Sequence, residues 1–125
     1  MKRVFAQTVV MVFVASCLAQ EALGHAFLDK SSPAVGSTVK SAPTEVRITF
    51  TEDVQADKSD IQVADSSGKE IDKKDVHLDS NAKDKATLIV SLPALSAGTY
   101  KVSWHATCVF GHKTEGNFEF TVKGE

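Results

Sequence analysis

After His25 the chain changes side every second residue, and it keeps doing so almost to its end. "TEVRITFTE" puts Val46, Ile48 and Phe50 on one face, with Arg47 and Thr49 on the other. "SDIQVAD" alternates through Ile61 and Val63, and "GNFEFTV" through Phe118, Phe120 and Val122. "TYKVSWHATCVF" aligns Tyr100, Val102, Trp104, Ala106, Cys108 and Phe110. Such a period is that of a strand with one face buried, and no stretch sustains a helical period. "ATLIVSL" is more continuously apolar and reads as a strand buried on both faces.

Turn residues separate these runs. "SSPAVGS", "SAPT", "DSSGKE" and "LSAGTY" carry the Pro, Gly, Ser and Asp that chain reversals need. About seven short strands in one domain predict an all-β, immunoglobulin-like β-sandwich. "AGTYKVSW" adds a Tyr at the head of a strand with an inward Trp, the pattern of a tyrosine corner. The segment 65–85 is rich in both charge signs and reads as a solvated hairpin or loop, with His77 a surface residue inside it.

The chain has 125 residues, room for one domain. Residues 1–24 have a basic start, "MKR", a short apolar run and the small residues Ala22 and Gly24, and read as a signal peptide. Cleavage after Gly24 leaves His25 as the first residue of a domain covering 25–125. "VASC" offers a rival route, with lipid on Cys17, and either route exports the protein. No later run is apolar enough to span a membrane. From His25 onward 12 Lys and Arg face 15 Asp and Glu, a balance that attracts neither nucleic acid nor anionic lipid. Cys108 is the one cysteine left, so no disulfide forms within the domain and the fold rests on its core. Both methionines, Met1 and Met11, lie in the leader.

Two histidines are candidate metal ligands. A chain that begins with His25 chelates a metal through its α-amine and imidazole Nδ1, and a second imidazole completes a three-nitrogen set suited to tetragonal Cu(II). The amine's ordinary pKa near 7.7–8.0 lets a metal displace its proton at neutral pH. His112 follows Gly111 at the end of a long strand, where a loop presents ligands naturally. The alternatives are a His25 that only tolerates the peptidase and a His112 exposed in its turn. His105 has the parity opposite Trp104 and reads as a half-exposed sheet residue. Cys108 stands four before His112, but its parity places it in the core as a small hydrophobe.

"HAFLDKSSPAVGSTV", "VRITFTEDV" and "LSAGTYKVSWHATCVFGHKTEGNFEFTV" together resemble the CopC family of periplasmic copper-binding proteins, closest to its short YobA-like members. The resemblance spans residues 25–123. It implies a Greek-key β-sandwich that binds one Cu(II) and acts in copper resistance, buffering or delivery, as a monomer and not as an enzyme. It also implies periplasmic localisation and an inner-membrane copper importer, or another copper-handling protein, as partner. The family's N-terminal His falls on His25 and its late "D-G-H" His on His112. The Asp of that motif, a family Cu(II) ligand, falls on Phe110. Glu52 of "TFTE" matches an acidic position near the family site, in an outer-shell role. The methionine-rich Cu(I) site of some members has no counterpart here. Loss of the Asp predicts weaker, more exchangeable Cu(II) binding. A sandwich with a lost copper site, and a copper monooxygenase with Phe110 as the axial aromatic, are the competing readings.

Overall fold

The structure is a computed structural model and describes residues 25 to 124. The expected leader, its cleavage point and the rival site at Cys17 lie outside the described residues. Among the described residues eight strands form two four-stranded sheets: β1 (Leu28–Ser32), β2 (Thr38–Val39), β3 (Glu45–Phe50), β4 (Asp60–Ala64), β5 (His77–Leu78), β6 (Thr87–Ser91), β7 (Gly98–Thr107) and β8 (Lys113–Val122). One sheet runs β1-β3-β6-β5 and the other β2-β8-β7-β4, so the chain crosses repeatedly between layers. All pairs are antiparallel except β2 with β8, which is parallel over two residues.

Alternation builds the core. Val46, Ile48 and Phe50 of β3 and Leu88 and Val90 of β6 face Ile61, Val63, Val102, Trp104, Phe118 and Phe120 of the opposite sheet, and all are buried. Burying each such side chain contributes roughly 1.5–3 kcal/mol. β6 is buried along Thr87 to Val90, as its unbroken apolar run predicts. The Tyr100 ring stacks on Phe120 with centroids 5.5 Å apart. Its hydroxyl donates to the Ser96 carbonyl at 2.7 Å, which is the tyrosine corner expected from "AGTYKVSW".

The charged segment 65–85 is mostly loop, but three of its residues have structural roles. His77 and Leu78 form β5 and pair with Ile89 and Leu88. Asp72 is buried, and its carboxylate accepts the Val63 N–H at 2.8 Å on the outer edge of β4, where the Ile71 N–H donates to the Val63 carbonyl. A carboxylate thereby satisfies a backbone donor that no neighbouring strand reaches. His77 is exposed, as expected for a surface residue.

Phe110 departs from the inward face on which alternation places it. β7 ends at Thr107, and the reversal begins at Cys108, before the pattern reaches Phe110. Phe110 is 77% exposed, against 0% for Cys108. Gly111, at φ 90°, supplies the left-handed residue that closes the reversal.

Candidate metal centre

His112 is held by the β7–β8 turn. The Cys108 N–H donates to the His112 carbonyl, and the Gly111 N–H donates to the Cys108 carbonyl, both at 2.9 Å. The turn is tied down from outside as well. Val109 N–H reaches the Asp53 carbonyl at 3.2 Å, and the Gln55 side-chain amide reaches the Cys108 carbonyl at 3.0 Å. Cys108 pairs with Val54 across an isolated bridge, and its side chain is buried. The cysteine is therefore a core anchor under the loop, in keeping with its parity.

His25 arrives from the other end of the described chain. β1 pairs with β3 through Leu28↔Phe50 and then Lys30↔Thr49, a register shift that marks a bulge at Asp29. A bulge resets which side chains face inward. Ala26, two residues upstream of Leu28, is fully buried, while Phe27 points outward and is 45% exposed. Thr51 continues the pairing beyond β3: its N–H donates to the Phe27 carbonyl at 2.8 Å, and its hydroxyl accepts the Phe27 N–H at 3.0 Å. The same hydroxyl donates to the His25 carbonyl at 3.3 Å. The Thr114 hydroxyl, on β8, donates to the Ala26 carbonyl.

These two anchored segments bring the candidate ligands together. The His25 and His112 rings stack with centroids 4.7 Å apart and planes 21° from parallel. His25 also faces Phe27, at 6.1 Å between centroids. His112 is exposed and His25 half-buried, so solvent reaches the pair. Among the described residues no group of three or more His, Cys, Asp and Glu side chains converges to hold a metal ion. The pair offers two imidazoles, the borderline donors that suit copper, nickel and zinc. An imidazole lone pair lies in its ring plane, so near-parallel stacked rings do not aim at one point. One ring must turn out of the stack for both to reach a shared ion.

The other sequence candidates lie elsewhere. His105 projects from the outer face of β7, 57% exposed, with Nε2 3.2 Å from the Glu115 carboxylate. Glu52 is exposed and lines a groove of about 350 Å³ with Asp53, Asp84, Val109 and Phe110. Phe110 is thus beside carboxylates at the tip of the loop. Thr51 and Thr114, which grip the His25 segment, carry no mark in the sequence beyond belonging to "TFTE" and "KTEG".

Comparison with known proteins gives a consistent answer. The family model of the CopC domain matches residues 28–123. Protein YobA of Escherichia coli (strain K12) is 33% identical over 113 residues, covering 90% of each chain. The copper transport protein CutJ of Bacillus subtilis (strain 168) is 32% identical over 107 residues, which are 84% of this chain but only 19% of that one. Among solved structures, CopC from Methylosinus trichosporium OB3b superposes with a TM-score of 0.71 at 31% identity, covering 81% of this chain and 96% of that one.

Proposed function

The chain belongs to the CopC family, and from that premise we propose that it binds Cu(II) through His25 and His112 and serves in copper resistance, buffering or delivery in the periplasm. The observation that carries this reading is the stack of the two rings at 4.7 Å, made by residues from opposite ends of the domain. With His25 as the first residue of the processed protein, its α-amine adds a third nitrogen. Copper is the cargo, and the chemistry is coordination and release.

Phe110 stands where relatives place a carboxylate ligand, so the ion rests on nitrogen donors and is held less tightly. A loosely held, solvent-reachable ion suits transfer. A copper-handling partner, such as an inner-membrane importer, would receive it; CutJ carries a stretch like this one within a far longer copper transport protein. Among the described residues no helix is long and apolar enough to cross a membrane.

Competition titration of Cu(II) tests the reading. The protein beginning at His25 binds, while retention of Gly24 or the His112→Ala change removes most of the affinity. Equal affinity in the Gly24 form would sink the amine-and-imidazole chelate.

A second reading, a sandwich that interacts but has no copper site, is favoured by Phe110 and its 77% exposure. It predicts no Cu(II) binding by the protein beginning at His25. Oxidative cleavage of polysaccharides is disfavoured by the single Trp and single Tyr, Trp104 and Tyr100, which are both 5% exposed and offer no platform for a polymer.

A further inference from the structure

We infer that Thr51 and Thr114 are positioning residues for the His25 end of the copper site, an inference that rests on the function proposed above. The segment His25–Phe27 precedes β1, yet it is held at three consecutive residues. Thr51 holds His25 and Phe27, and Thr114 holds Ala26 between them. The contacts come from both layers of the sandwich. Thr51 follows β3, the neighbour of β1 in the first sheet, whereas Thr114 belongs to β8 in the second.

Side-chain hydroxyls make these contacts where a regular ladder would use backbone groups. Thr51 uses one oxygen twice, accepting from Phe27 N–H and donating to the His25 carbonyl. A threonine can hold such a dual geometry because two heavy atoms on Cβ stiffen χ1. Between the two grips the Ala26 methyl is fully buried, which fixes the segment's depth.

The consequence for the ligand is specific. With the His25 and Ala26 carbonyls both engaged, the peptide linking these residues has a set orientation and the His25 Cα a set position. Rotation about ψ, χ1 and χ2 of His25 is what remains to bring amine and Nδ1 onto an ion. The His112 backbone is held separately by its turn, so the scaffold sets the positions from which the two side chains reach an ion. Ordering these groups before the ion arrives removes an entropic cost from binding. Outer-sphere hydrogen bonds of this kind orient the groups that touch the metal.

The test uses protein beginning at His25, with Thr51→Val and Thr114→Val, which keep shape and lose the donor, and Thr51→Ser and Thr114→Ser, which keep the donor. Cu(II) affinity is read by competition, the copper environment by electron paramagnetic resonance, and stability by urea unfolding. Thr114→Val, which loses one hydrogen bond, is expected to weaken Cu(II) about fivefold to tenfold, and Thr51→Val, which loses two, at least as much; both are expected to shift the copper spectrum, and each Ser variant restores affinity and spectrum. Should a Val variant fail to fold, Thr51→Ala and Thr114→Ala take its place. Variants that bind as tightly as the parent, or lose affinity with an unchanged copper spectrum, overturn the inference and leave the copper reading standing. A parent protein that binds no Cu(II) overturns both.

Discussion

Trp104 lies directly over Gly116, its cross-strand partner, so closely that a Cβ on Gly116 would meet the indole Cζ2 at 2.6 Å and Cε2 at 2.8 Å. The indole cannot simply tilt away, because its other side packs edge-on against Phe50, with centroids 5.2 Å apart and planes at 66°. Gly116→Ala therefore overpacks the mouth of the sandwich and is expected to cost about 1–3 kcal/mol in urea unfolding. The cost should shrink in a Trp104→Phe background, where the clashing ring atoms are gone. Additive costs in the double variant would show that the indole is not the obstacle.

Phe110→Asp supplies the carboxylate that the resemblance to the family leads one to expect at this position. An anionic ligand beside a dication gains on the order of a few kcal/mol at surface dielectric, so Cu(II) affinity is expected to rise at least about tenfold. Stability should move by no more than about 0.5 kcal/mol, because Phe110 is exposed at the loop tip. Unchanged affinity in a competition titration would contradict the account of the weakened site.

Acid should weaken the fold through Asp75. Its hydrogen bonds with Ser91, from the side chain and then the backbone N–H, hold the carboxyl below its ordinary value of 3.8. A carboxyl depressed in the folded state adds stability that is fully present above its unfolded pKa and is lost as pH falls through the folded one. The urea midpoint should therefore drop as pH falls below about 4. Asp75→Asn should flatten that acid limb and lower the midpoint at neutral pH. An acid limb of the same steepness in the variant would assign the loss to other carboxyls.

Cys108 is fully buried under the turn. A thiol reagent in excess should modify it only as the protein opens, with a rate that rises in step with urea-induced unfolding. Rapid labelling of the native apo protein would place the sulfur at the surface and reopen the question of a thiolate ligand.

Alternation alone made the two inward faces legible, since Val46, Ile48, Phe50, Tyr100, Val102 and Trp104 are buried as their parity requires. It failed at Phe110 for a definite reason: period two carries no information about where a strand stops, and the turn begins at Cys108, two residues before the apolar pattern ends. β5 was hidden because two residues at a sheet edge, His77 and Leu78, are too short to show a period inside a charged run. The meeting of His25 and His112 was suggested by likeness to a family, and the geometry adds that they stack. The threonine grips could not have been found, because any hydroxyl on any strand end has the same appearance until the topology sets it beside its acceptor.

The two stacked histidines stand near the ends of the described chain, with almost the whole domain between them. An ion shared by them would act as a removable clasp on that loop. Long loops are the ones whose closure most restricts an unfolded chain, though the dependence on length is shallow. Loaded protein should accordingly open less often than empty protein, and an acceptor that takes the ion also unfastens the carrier.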